Sequence, residues 1–173
     1  MGATRTGVFR GVDQIAMVVN DLHASMKRYV EGYGVGPWYV IKFGPENVQD
    51  QTLHGKKKDY SHRLAICHIG NVQFELIESL SDTIYREHLN RYGEGVIHHM
   101  KMIVDDHDEA MKFFQSKGIE VLQTGNWEGK SRYANLATEP ELGFQVEISV
   151  PSPAFKMPEP DYWYPADRKM PGV

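Results

Sequence analysis

A single cysteine, Cys67, is the only thiol in the 173-residue chain. One thiol excludes an internal disulfide and any cysteine-based zinc cluster. Basic residues are also in the minority, 19 Lys and Arg against 23 Asp and Glu. The resulting net charge of −4 lacks the basic excess of a general nucleic-acid binder. No uninterrupted apolar run reaches the ~20 residues needed to cross a bilayer. The first seven residues lack the apolar stretch of a signal peptide, so the cytoplasm is the expected compartment. Gly2 and Thr6 formally match a myristoylation signal, which we read as chance. Proline is scarce in the body, since six of the nine stand at or beyond Pro151.

An internal repeat organises the remainder. Val12–Val19 followed by Asn20-Asp21 is echoed by Ile97–Val104 followed by Asp105-Asp106. At one offset (99−14 = 85) Met17 meets Met102, Val19 meets Val104 and Asp21 meets Asp106. Such self-similarity marks one supersecondary unit used twice. Each strand is followed by an acidic N-cap and a helix, about Leu22–Glu31 and a second ending near Lys117. Trp38–Phe43 is a strand by its aromatic and β-branched content. Residues 44–60 read as a long polar loop whose run Lys56-Lys57-Lys58 is a solvated face. His62–Ile69 and Val72–Glu78 form a hairpin through Gly70-Asn71. A short helix follows, from Ser81-Asp82 to about Arg91. In the second half, 119–123 is a strand, 124–131 a loop containing Trp127, and 132–138 with 143–150 the last strand pair. The order is βαβββ, a short helix, then βαβββ. The fold class is therefore α+β. The body covers 8–150 as two modules, about 8–80 and 94–150, and 151–173 is a tail rich in proline and aromatics. Its Tyr162-Trp163-Tyr164 run is poorly suited to water and should wrap over the body or over a partner subunit.

Four polar residues occupy repeat-related positions. Gln14 and His99 are register mates, and Gln73-Phe74-Glu75-Leu76 shares the pattern Q-x-E-[LI] with Gln145-Val146-Glu147-Ile148. Period-two alternation sets Gln14, Glu75, His99 and Glu147 opposite the apolar residues that pack on helices. Solvent-facing polarity would account for any one of them alone. Together they supply a nitrogen and oxygen set suited to one divalent cation, with two carboxylates to neutralise it. Zn²⁺ comes first, and Mn²⁺, Co²⁺, Ni²⁺ and Fe²⁺ suit the same ligand types. Lys101 shares the parity of His99, and it is read equally as a cup-facing catalytic group or a snorkelling surface lysine. His98 should face the helices. Tyr133, Asn135, Trp38 and His68 are weaker candidates for pocket lining, and Cys67 is expected in the core.

These residues resemble the vicinal oxygen chelate superfamily, over about residues 8–150. The resemblance implies paired βαβββ modules, a cup-shaped mixed sheet around a metal, and helices on the outer face. Gly95-Val96-Ile97-His98-His99-Met100, Val104-Asp105-Asp106 and Lys117-Gly118-Ile119 look most like its methylmalonyl-CoA epimerases. The set Gln14, Glu75, His99, Glu147 is instead similar to that of animal-type glyoxalase I. The first-strand ligand of the epimerases is normally His, and Gly44–Val48 lacks their E-x-G-V pattern. The implied activity is a metal-dependent isomerase, epimerase or lyase. It would abstract a proton beside a metal-bound carbonyl of a small organic substrate through an enediolate, with Glu75, Glu147 or Lys101 as catalytic groups. The alternatives are a dioxygenase of the same superfamily or a metal-free, bleomycin-resistance-type binding protein. A homodimer is the expected assembly, with no nucleic-acid or membrane partner.

Overall fold

A computed structural model describes residues 7–167. The Gly2–Thr6 match and the last six residues of the tail lie outside the described residues. Along the chain run β1 (Gly11–Val19), α1 (Leu22–Tyr33), β2 (Trp38–Phe43), β3 (Val48–Leu53), β4 (Lys56–Lys57), β5 (His62–Ile69), β6 (Val72–Ser79) and α2 (Ile84–Tyr92). They are followed by β7 (Ile97–Ile103), α3 (His107–Ser116), β8 (Val121–Trp127), β9 (Ser131–Leu136), α4 (Glu139–Leu142), β10 (Gln145–Pro151) and β11 (Tyr162–Tyr164).

All the strands join one curled sheet in the order β11-β2-β5-β6-β1-β7-β10-β9-β8-β3-β4. The repeat is visible in this order. β1 pairs parallel with β6 and β7 pairs parallel with β10, while β1 and β7 meet antiparallel at the centre. The acidic caps work as expected. Asp21 accepts from the Ala24 amide and Asp106 from the Glu109 amide, which supplies partners for otherwise orphaned N–H groups. Gly34 ends α1 in the left-handed region at φ 66°, a conformation free of a Cβ penalty only for glycine.

Alternation along the strands separates two faces. Outside, Leu22 and Met26 of α1 pack with Val19, Trp38, Val40, Ala65, Cys67 and Leu76. Ala110 and Phe114 of α3 pack with Ala134, Leu136, Val146 and Ile148. The concave face has its own apolar cluster, which includes Ala16, Val18, Tyr39, Ile41, Ile66, Ile77 and Trp127. Helix α2 belongs to this inner cluster through Ile84, Tyr85 and Leu89, so it plugs one end of the cup while α1 and α3 cover the outside.

Three segments depart from the expectation. Residues 44–60 are not one loop, because β3 crosses to the far edge of the sheet and pairs with β8. Its polar sequence hides the strand, since Val48 and Leu53 are buried but the residues between them mostly carry hydrogen-bonding side chains. That crossing brings Phe43 and Trp127 into edge contact, ring centroids 4.0 Å apart, and ties the first module to the second. β8 runs on to Trp127 rather than stopping at 123, because β3 and β9 pair with it on both sides. The tail adds β11 to the free edge of β2, with Trp163 edge-on to Tyr39 at 5.5 Å. The aromatic run thus wraps over the body of its own chain.

Candidate active site

The registers place the polar residues on two adjacent rungs of the concave face. One rung runs Gln73, Gln14, Lys101, Glu147, Asn135 across β6, β1, β7, β10 and β9. The next runs Glu75, Ala16, His99, Gln145. Alanine at position 16 is decisive for the second rung. Glu75 and His99 sit on strands two apart, and only a methyl group stands between them, so their side chains close over Ala16.

The heads of Gln14, Glu75, His99 and Glu147 converge. Gln14 Nε2 donates to Glu75 Oε1 at 3.1 Å and also to Gln73 Oε1. His99 Nε2 lies 3.3 Å from Glu147 Oε2, 3.5 Å from Gln14 Oε1 and 3.7 Å from Glu75 Oε2. Asn135 Nδ2 donates to Glu147 Oε2 at 3.3 Å. All four are buried, with Glu147 the most exposed at 8%. Burial pushes the Glu75 carboxyl up to about 8, reinforced by the Glu147 charge and opposed by Lys101 and Gln14. Burial also raises Glu147 to about 7, against Lys101 and the Asn135 bond. The His99 imidazole falls to about 3 through burial and the Lys101 charge. His99 is therefore a neutral ring, and its approaches to the two acids are not ionic.

Gln14, Glu75 and Glu147 line a cavity of about 220 Å³, and His99, fully buried, lies outside its lining. Phe43, His62, Tyr85, Trp127 and Tyr133 wall it, and Phe155 and Met157 of the tail cross one side. The Tyr133 hydroxyl meets that of Tyr60 at 2.8 Å. Gly125 makes room for this ring, since a Cβ there would fall 2.4 Å from the Tyr133 hydroxyl. Lys101 enters the cup, where its ammonium pairs with Asp13 Oδ2 at 3.3 Å.

Of the weaker candidates, Tyr133 lines the cavity and Asn135 reaches it through Glu147. Trp38 packs in the outer cluster because Tyr39 and Ile41 take the inward parity. His68 is exposed near the end of β5 and does not line the cavity. Cys67 lies in the outer cluster, its thiol raised to about 12 by burial. Two residues escape the alternation. The β1–β7 register slips between Val12 and Gln14, so Asp13 is an extra residue turned towards the cavity. It slips again opposite His98, which turns inward beside His99 instead of facing the outer helices. Bulges re-aim side chains in this way. His62 also lines the cavity, a position unread from the sequence although its parity with the inward Leu64 and Ile66 marks it.

By type the donor set suits a divalent cation: two carboxylates, one neutral imidazole nitrogen and one amide oxygen. Among the described residues no three His, Cys, Asp or Glu side chains already stand in a metal-holding group. Rotation of the carboxyl and amide ends about their broad terminal torsions would turn the oxygens inward.

A family model described as the glyoxalase/bleomycin resistance protein/dioxygenase superfamily matches residues 13–135. No curated protein matches the sequence. Solved structures share the fold. A hypothetical protein from Bacillus halodurans aligns with a TM-score of 0.63 at 19% identity, covering 85% of this chain and 98% of its own. A variant of Streptomyces coelicolor methylmalonyl-CoA epimerase in complex with 2-nitronate-propionyl-CoA aligns at 0.60 and 22% identity, covering 84% and 99%. Methylmalonyl-CoA epimerase from Mycobacterium tuberculosis aligns at 0.58 and 18% identity, covering 86% and 93%.

Proposed function

The chain belongs to the glyoxalase/bleomycin resistance protein/dioxygenase superfamily, and on that premise we propose that it is a metal-dependent isomerase, epimerase or lyase acting beside the carbonyl of a small organic substrate. The observation that carries this reading is the convergence of Gln14, Glu147 and Glu75 on His99 Nε2, at distances of 3.3–3.7 Å. Gln14 Oε1, Glu75, His99 Nε2 and Glu147 would hold the ion. A bound divalent cation supplies Lewis-acid stabilisation of the negative charge that develops on a carbonyl oxygen.

The chain's own groups do the rest. Glu75 and Glu147 are buried carboxyls whose affinity for protons lies near neutrality, the range that suits a general base which must also return the proton. Asn135 orients Glu147. Phe43, Trp127 and Tyr133 exclude water from the apolar part of the substrate. Lys101, fixed by Asp13, is the cation available to a substrate oxygen. A homodimer and the cytoplasm remain our proposals for assembly and compartment. No helix among the described residues is long and apolar enough to cross a membrane.

Incubation of Zn²⁺- or Mn²⁺-loaded protein in D₂O tests the reaction, using a panel of 2-oxoaldehydes and 2-substituted acids and thioesters. Isomerisation or deuterium at the α-carbon is expected for one substrate class. Glu75→Gln or Glu147→Gln should lower that rate by roughly 10²–10⁴ while metal stays bound. Full turnover by both metal-bound Gln variants would remove the carboxylates from the proton transfer and shift it to Lys101.

A further inference from the structure

We propose that His98 is a positioning residue, which fixes the proton of His99 on Nδ1 and leaves the Nε2 lone pair for the ion; this rests on the metal-site reading above. His98 Nδ1 and His99 Nδ1 lie 2.9 Å apart, and both rings are fully buried at 0% exposure. Adjacent residues of a regular strand point to opposite faces, so this contact exists only because of the register slip between Ala16 and Met17. One of the two nitrogens must donate and the other accept.

The metal-site reading decides which. The His98 ring is clamped by Tyr85 and His88 of α2, each at a centroid distance of 4.9 Å. An ion held by His99 Nε2 uses the lone pair there, so the proton of the neutral His99 ring stands on Nδ1. The 2.9 Å contact then runs from His99 Nδ1–H to His98 Nδ1 as acceptor, and the His98 proton stands on Nε2. At the far side of the His99 ring, Nε2 then presents a lone pair to three oxygens. That arrangement is repulsive unless carboxylic acid protons or a cation stand between them. Ligating histidines commonly hold their other N–H on such a partner, and losing that partner typically weakens metal binding 10–100-fold.

Two buried substitutions separate this role from packing. His98→Leu fills the space without an acceptor, and His98→Asn places an oxygen near the position of Nδ1. Calorimetric titration of chelator-stripped protein with Zn²⁺ should show His98→Leu weaker by about 10–100-fold. His98→Asn should recover most of that loss. Two-bond ¹H–¹⁵N correlations should place the His99 proton on Nδ1 in the wild type. Unchanged Zn²⁺ affinity in a folded His98→Leu protein, or no recovery in His98→Asn, would overturn the proposal. If His98→Leu does not fold, His98→Asn and the wild-type tautomer decide. A wild-type chain that takes no Zn²⁺ would sink the metal-site reading instead. The metal-free spectrum would then judge His98 by itself, with Nδ1–H on His99 in its favour and Nε2–H against it.

Discussion

Replacing Glu75 by Gln should change how the metal-free protein responds to pH. Glu75 is raised in the fold from 4.5 to about 8. A carboxyl raised in this way binds more protons folded than unfolded. Its stabilising contribution is therefore complete below about pH 4.5 and is lost as pH rises through 8. At about 1.4 kcal/mol per pH unit the shift amounts to roughly 3–5 kcal/mol, allowing for its sharing with Glu147. For a chain of this size that corresponds to a change of about 10 °C in melting temperature. Glutamine keeps the volume and carries no titrating proton, so Glu75→Gln loses this pH slope and any packing difference appears as a constant offset. Melts in the presence of a chelator from pH 5 to 9 measure both. The gap between the two proteins should move in favour of the variant by several degrees over that range. Parallel curves would show that Glu75 ionises in the fold as it does in water, and the buried-cluster reasoning would fail.

Three further outcomes follow from other parts of the cup. Zn²⁺ affinity should rise between about pH 5 and 8, because binding displaces protons from Glu75 and Glu147, and a flat calorimetric profile would contradict that competition. His62 is held down to about 3 by burial, so its contribution is complete above about pH 6.5 and is lost as pH falls towards 3. His62→Phe should accordingly flatten the acid side of the stability profile in urea melts, apart from the carboxylates. Trp127→Ala removes the ring that meets Phe43 at the seam of the two modules, and should cost about 3–5 kcal/mol in denaturant unfolding.

Much of this cup was legible from spacing alone. The 85-residue offset paired Gln14 with His99, and alternation beside Leu76 and Val146 turned Glu75 and Glu147 to one face. Bulges, by contrast, leave no mark on periodicity. His98 reads as an outward residue and Asp13 shares the parity of the outward Ile15, yet one inserted position in each register brings them into the cup. Helix α2 carries an apolar stripe that would suit either face, and its seat inside follows from tertiary packing by Tyr85 and Leu89. The β3 strand was hidden for a related reason. It pairs at the far edge of the other module, so its partner is about 75 residues away and its polar sequence tracks hydrogen bonding to Thr124 and Tyr60 more than burial.

The most direct measurement of the central claim is elemental analysis of protein purified without added metal, alongside Zn²⁺ titration of chelator-stripped wild type and His99→Ala. One divalent ion per chain is expected in the wild type, with affinity lost or reduced by orders of magnitude in the variant. Absence of stoichiometric binding in the wild type, or unchanged affinity in a folded His99→Ala protein, would contradict the assignment of Gln14, Glu75, His99 and Glu147 as one metal site.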